Sequence, residues 1–295
     1  MTDIGEHKLD QKLILELTKW EAEWSTSMGG WFPGEKVLLR KKNMFEDLRH
    51  LTWMGLLLFG VTGRTFSREQ CTLFESIWRI STSFPDPRLW NNRVVALAGS
   101  TRSSSSLGLA AGIAVSESII FGHRPLLAAF NFHIELQQNL ETGTPLEEYL
   151  RRTINESRKG KPGSGRKREV AKVPGFGRPI VNKDERLAPL MEAAEGLGFG
   201  SGTYVQQAFE IERVLQKIDS ERPLKMNVAA LMGALCADQG LNAKEYYHYL
   251  LLCFTAGMLP CALDALEKPE GSFFPLRCEN IVYEGVSRRQ WKRRA

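Results

Sequence analysis

Apolar residues recur at helical spacing along most of the chain, and this pattern predicts an all-α fold. Leu13, Leu17, Trp20 and Trp24 share one face of a first helix, and Leu48, Leu51 and Leu58 mark the face of a second. A third helix carries its own start signal. Ser67 and Gln70 form a capping-box pattern ahead of Leu73, Phe74, Ile77 and Ile80, and the helix should end before Pro85. Thr144, Pro145 and Glu147 combine an N-cap, a proline at the first helical position and a carboxylate at the third, a strong start for a helix after 145. Further helical patterns cover 187–197, 204–218, 228–239 and 243–259. Only 36–39 reads as a strand, within one small hairpin.

Residues 107–118 are built from small side chains, Gly108, Ala110, Ala111, Gly112, Ala114 and Ser116 among them. Such a helix lets another backbone approach closely, which suits either a central core helix or a seam between two copies of the chain. Gly196, Gly198, Gly200 and Gly202 follow a helical pattern rather than a strand and lack the lysine of a phosphate loop, so they predict a turn between helices.

Composition narrows the class. With 295 residues, 43% hydrophobic and 25% charged, the chain can bury a core as one large domain or two smaller ones, which excludes a permanently unfolded chain. No membrane span is expected. The apolar stretch 51–61 is shorter than the roughly 20 residues a bilayer needs, and 250–266 is interrupted by Pro260 and Asp264. Residues 1–10 carry Asp3, Glu6 and Asp10 and no apolar run after a basic start, so neither a secretory nor a transit signal is expected, and the expected address is cytoplasmic. Cys71, Cys236, Cys253, Cys261 and Cys278 are odd in number and form no CxxC pair, which fits reduced thiols and no metal site.

The net charge of +5 is unevenly placed. Arg151, Arg152, Arg158, Lys159, Lys161, Arg166, Lys167 and Arg168 face the single acid Glu156, while Gly160, Pro162, Gly163, Ser164 and Gly165 make the run a solvated loop. It holds no aromatic residue on which bases would stack, so nucleic acid is not the expected partner, and an anion-steering patch or a plain loop remain. Arg288, Arg289, Lys292, Arg293 and Arg294 form a second basic cluster that reads as a frayed tail.

The densest chemistry lies in Val173-Pro174-Gly175-Phe176-Gly177-Arg178-Pro179, followed by Lys183-Asp184-Glu185-Arg186. Gly175 and Gly177 let the backbone turn sharply and approach a ligand. Arg178, Lys183 and Arg186 place three cations nearby, an arrangement for carboxylates or phosphates, or else a surface turn with scattered charges.

These residues resemble the citrate synthase family, whose members carry a Pro-Gly-Phe/Tyr-Gly-His loop leading to Asp-Pro-Arg, an Asn-Val-Asp helix start and an Arg-Pro ending before Tyr-x-Gly. Here the corresponding stretches are Pro174-Gly175-Phe176-Gly177-Arg178, Asp184-Glu185-Arg186, Asn227-Val228-Ala229, and Pro275-Leu276-Arg277 leading to Tyr283-Glu284-Gly285. Residues 92–113 look like the helices that precede the family's His-Gly-Gly loop, and the likeness runs from about Lys36 to Gly285. It implies a homodimer with a large helical domain formed by 1–139 and 225–295 and a smaller one inserted at 140–224. It also implies an acyl-coenzyme A and a small carboxylate as substrates, with no bound cofactor.

The three positions that move protons in the family differ. Ala229 stands where the resemblance implies the aspartate base, Phe121 where it implies the histidine that donates to the thioester oxygen, and Arg178 where it implies the histidine that acts on the oxoacid carbonyl. An alanine accepts no proton and a phenylalanine donates no hydrogen bond. Each loss should cost on the order of 10² to 10⁴ in rate unless something replaces it. Arg178 remains a permanent cation able to polarise a carbonyl, and His123, Asp184 and Glu185 are substitutes close by in sequence. The expected catalytic set is therefore Arg178, His123 and Asp184, with Arg186, Asn227, Arg277, Gly175, Gly177 and Lys183 binding substrate. Two readings stay open: an acyltransferase or lyase making or breaking a carbon–carbon bond beside a thioester, or a catalytically silent binding or regulatory protein.

Overall fold

The computed structural model describes residues 14–16, 18–19, 25–81, 84–158, 173–177, 183–220, 224–272 and 277–286. Leu13, Leu17, Trp20 and Trp24, the loop 159–168, Arg178 and the basic cluster from Arg288 lie outside these residues. Two compact units are delimited, Met1–Cys71 and Thr72–Ala295.

The first unit holds a three-stranded antiparallel sheet in the order β1-β2-β3, with β1 at Gly29–Phe32, β2 at Lys36–Leu39 and β3 at Lys42–Asn43. The expected strand is β2. Its neighbours are harder to read from sequence, because Gly29 and Gly30 are poor strand formers and β3 has only two residues. The β2–β3 turn puts Arg40 and Lys41 in the left-handed region, at φ 48° and 69°. Arg40 then donates through Nε to the Gly60 carbonyl at 2.9 Å and through Nη2 to that of Val61 at 3.0 Å. Those are orphan carbonyls at the end of α1 (Trp53–Thr62), so one cation tethers the sheet to the helix it precedes.

Helix α2 (Arg68–Ser81) begins as expected, with Ser67 N–H donating to Gln70 Oε1 at 2.8 Å and Gln70 N–H donating to Ser67 Oγ at 3.2 Å. The second unit continues through α3 (Trp90–Ser100), α4 (Ser105–Val115), α5 (His123–Glu141), α6 (Leu146–Arg158), α7 (Leu187–Gly196), α8 (Thr203–Ile218), α9 (Val228–Asp238), α10 (Ala243–Cys253) and α11 (Met258–Leu266). The fold is all-α apart from the small sheet.

Helix α9 is apolar on every face, and each residue from Val228 to Ala237 is buried, which makes it the centre of the unit. It packs on α5 and α8. A Cβ at Gly233 would stand 3.2 Å from the Phe130 backbone, so glycine sets how closely α5 and α9 approach.

The stretch expected as one helix over 243–259 is two. Helix α10 opens on a full capping box between Asn242 and Glu245 and stops at Cys253, and α11 restarts after Gly257. Pro260 falls in the first turn of α11, where a missing N–H costs nothing, so the proline marks a beginning rather than an interruption. Among the described residues, Ala243–Leu266 is apolar and long enough to cross a membrane by length and composition, and half of it is buried within the protein.

Helix α4 departs from the core alternative. It buries only Gly108 and Gly112, against α3 and α11: a Cβ at Gly112 would lie 2.6 Å from Val95 and 2.9 Å from Met258. Its small residues serve this contact, and its outer face, with Leu107 71% exposed, is bare. Cys71, Cys236, Cys253 and Cys261 are buried.

Candidate functional site

The start of α9 gathers three stretches, two of them close together in sequence and the other more than forty residues further on. The first is the turn from Val173 to Gly177, whose Val173 and Phe176 pair with each other while Phe176 also pairs with Met226. Gly177 N–H donates to the Lys225 carbonyl at 2.6 Å, and Asn227 N–H donates to the Gly175 carbonyl at 3.0 Å. Gly175 has φ +84°, and a Cβ there would stand 2.7 Å from that of Ala230. The glycine is thus required twice, by the backbone conformation and by the close approach to α9. Gly175→Ala is expected to cost about 1–3 kcal/mol, read as a lower urea midpoint with an unchanged slope; a midpoint equal to the parent's would contradict this packing.

Asn227 is the N-cap of α9. Its Oδ1 accepts the Ala229 N–H at 2.9 Å and its Nδ2 donates to the Gly177 carbonyl at 2.9 Å, so both ends of the amide are committed to holding the turn against the helix.

Asp184 supplies the third stretch and is 1% exposed. Its Oδ1 accepts from Arg186 Nε at 2.8 Å and from Arg186 N–H at 3.2 Å, and its Oδ2 accepts from Arg186 Nη2 at 2.8 Å and Val228 N–H at 2.9 Å. Burial pushes this carboxyl up, but the Arg186 hydrogen bonds and charge together with the Val228 amide outweigh it and hold the group below the ordinary carboxylate range. With two donors on each oxygen and a depressed pKa, Asp184 is a committed anion rather than a base in waiting. Lys183 and Glu185 are exposed on either side of it.

Ala229 sits in the first turn of α9, 7% exposed, and offers only a methyl group where the resemblance implies a carboxylate. The neighbouring positions reveal two residues that sequence reasoning missed. Glu212 on α8 accepts the Met226 N–H at 2.8 Å. His133, fully buried on α5, has Nε2 3.0 Å from the Ala230 carbonyl and Nδ1 3.2 Å from Gln207 Oε1. Burial pushes His133 down, against the opposing hydrogen bonds to Gln207 and Ala230, and with Nε2 facing a carbonyl this nitrogen serves as a donor. The only sequence signal for either was helical spacing.

His123 stands in a different setting. It opens α5 with its N–H on the Ser116 carbonyl at 2.7 Å, its Nδ1 3.2 Å from Glu117 Oε1, and its ring edge-on to Phe254 and Tyr247. Burial pushes its pKa down, and the Glu117 carboxylate only partly offsets that. Glu117 also accepts the Tyr247 hydroxyl at 2.7 Å. Phe121 packs edge-on between Trp90 and Phe254, an apolar lining where the resemblance implies a histidine. Arg277 is exposed, its guanidinium 3.3 Å from Glu279. Thus the structure joins Gly175, Gly177, Asp184, Arg186 and Asn227, whereas the recorded contacts of His123 and Arg277 are with other residues.

Among the described residues no group of three or more His, Cys, Asp or Glu could hold a metal ion. An open groove of about 710 Å³ runs between α5, α6 and α8, lined by Leu140, Leu146, Gln207, Phe209 and Arg213 among others, and includes none of the residues gathered at the start of α9.

No protein-family model and no curated protein sequence matches this chain. Solved structures do. A citryl-CoA lyase from Hydrogenobacter thermophilus superposes with a TM-score of 0.75 at 16% identity, covering 91% of this chain and 97% of that one. An ATP citrate lyase from Methanothrix soehngenii in complex with citrate and coenzyme A gives 0.70 at 17%, covering 97% of this chain and 46% of that one. The citrate synthase of Thermoplasma acidophilum, in a ternary complex with carboxymethyl coenzyme A and oxaloacetate, gives 0.57 at 18%, covering 81% of this chain and 58% of that one. The chain therefore has a citrate synthase-like fold and spans about half of the ATP citrate lyase it matches.

Proposed function

We propose that this protein binds an acyl-coenzyme A and a small carboxylate, and makes or breaks a carbon–carbon bond beside the thioester carbonyl without the usual base. The observation that supports this most is the intact assembly at the start of α9: two left-handed glycines, the Asn227 cap and a partly buried arginine, on a fold shared with proteins solved with citrate, oxaloacetate and coenzyme A ligands. Arg186 is the anion arm. Its planar guanidinium suits a carboxylate as a fork rather than a point charge. Lys183 and the basic run of sequence before Val173 add cations that would attract coenzyme A phosphates over a Debye length of about 8 Å.

A second reading has its own support. The methyl of Ala229 and the aromatic packing of Phe121 leave the two positions that would enolise a thioester without polar atoms. On that reading the fold is kept for binding or regulation. Incubation with acetyl-coenzyme A and oxoacids in heavy water separates them. Methyl deuteration or thiol release supports the enzyme, and silence with every acyl chain supports the binding protein.

We also assign the bare face of α3, α4 and α11 to a second copy of the chain. Leu97, Leu107, Val115, Leu259 and Leu263 are exposed on these packed helices, an apolar surface of the kind that marks a protein contact. Leu107→Asp is expected to convert a dimer to a monomer in sedimentation equilibrium. A parent that sediments as a monomer at tens of micromolar would remove the assignment.

A further inference from the structure

Arg186 has more hydrogen-bonding capacity than Asp184 uses. A guanidinium carries five N–H donors in a planar fork with two edges that can each meet a carboxylate. Asp184 takes the edge formed by Nε and Nη2. Among the described residues Nη1 has no hydrogen-bond partner, it is not among the buried polar atoms, and the side chain remains 19% exposed. The remaining edge is thus both unspent and open to solvent. Asp184 is itself pinned, because its Oδ2 accepts the Val228 N–H at the start of α9 and the Arg186 main chain closes onto its Oδ1. The guanidinium plane is therefore referenced to the α9 backbone through a single buried carboxylate.

We infer that Asp184 is a positioning residue, holding Arg186 by one edge so that the Nη1 edge meets the ligand carboxylate beside the first turn of α9. This rests on the reading of Arg186 as the anion arm. It replaces the expected role of Asp184 in proton transfer with an orienting one, and it accounts for a buried carboxylate within a site that binds anions. Free, the long arginine side chain would lose rotamer entropy on binding; held by Asp184 it has lost that entropy on folding.

The test is calorimetric titration of the full chain with citrate and, separately, coenzyme A. Arg186→Met should weaken citrate by about tenfold or more and leave coenzyme A within about twofold, the size of one lost charge-assisted contact. Asp184→Asn keeps Arg186 and an oxygen for the helix, yet should weaken citrate by a similar factor with coenzyme A again unchanged. The double variant should bind citrate no more weakly than Arg186→Met alone, since positioning acts only through the arginine. A purely structural Asp184 would instead lower both ligands together, or add its loss to that of Arg186→Met, and either result overturns the inference. Citrate bound by Asp184→Asn as by the parent also overturns it. Parental citrate binding by Arg186→Met would sink the reading of Arg186 itself. If Asp184→Asn does not melt cooperatively, Arg186→Lys keeps Asp184 and its bond to Val228 while removing the fork. It should lose citrate affinity too, and parental affinity there overturns the positioning role.

Discussion

Replacing Ala229 by aspartate is expected to raise the rate of methyl deuteration of acetyl-coenzyme A by about 10²-fold, the lower end of what a positioned general base contributes. The position is prepared for a carboxylate. It lies in the first turn of α9, and its N–H is already held by Asn227 Oδ1. A negative charge at a helix N-terminus is favoured by about 0.3–1 kcal/mol, which offsets part of the cost of burial. The gain is set at the low end because Phe121 remains in its aromatic cluster, and groups that act as a unit are far from additive when restored singly. Ala229→Asn, of equal bulk but without a base, should stay at the parental rate. If Ala229→Asp folds and binds coenzyme A yet exchanges no faster, the reactive carbon does not sit beside this turn.

Asp184→Ala is expected to be the most destabilising single change in the site. It leaves a guanidinium that is four-fifths buried without its carboxylate and the Val228 N–H without its acceptor. Breaking such a pair by removing one partner costs about 3 kcal/mol, a large part of the stability of a typical domain. The loss should also depend on pH, with a definite sign. The Asp184 carboxyl titrates below its ordinary value in the folded state, so the unfolded chain takes up its proton first as pH falls. The contribution is thus complete above the unfolded value of about 3.9 and is lost as pH drops through the lower folded value. The gap in urea midpoint between parent and variant should be full at neutral pH and shrink in strong acid. A gap that stays constant across that range would mean that the carboxylate charge is not what holds the site.

Much of the architecture was readable from the chain because its helices carry local signals. The capping box at Ser67 and the start at Thr144 depend only on neighbours, and α7, α8 and α9 fall within a residue of their expected ends. Helix α5 was not anticipated. Its buried face includes His123 and His133, and Pro125 sits in its first turn, where the missing N–H is harmless. The split at Gly257 was hidden by continuous apolar character on both sides. The small residues of α4 were correctly read as a close-contact surface, but one side meets α3 and α11 and the other faces solvent, which no local pattern distinguishes.

The site followed the same logic. Gly175, Gly177, Asp184 and Arg186 lie close together in sequence, so their charge and turn chemistry could be seen at once. Their attachment to Asn227 and Val228 spans 44 to 50 residues and emerged only from the resemblance and the structure. That Asp184 spends its lone pairs on Arg186 and Val228 is a matter of tertiary hydrogen bonding, which residue types alone do not reveal. The same holds for His133 meeting Ala230 and Glu212 meeting Met226.

The most direct test is a thermal melt of the intact chain against rising coenzyme A and rising citrate, with Arg186→Met beside the parent. Ligands that bind the folded state raise the midpoint with the logarithm of concentration, by about 2.7 kcal/mol at a hundredfold excess over the dissociation constant. The expected result is a climbing midpoint for both ligands in the parent and for coenzyme A alone in the variant. Midpoints that stay flat with both ligands up to millimolar concentrations would contradict a binding site at the start of α9.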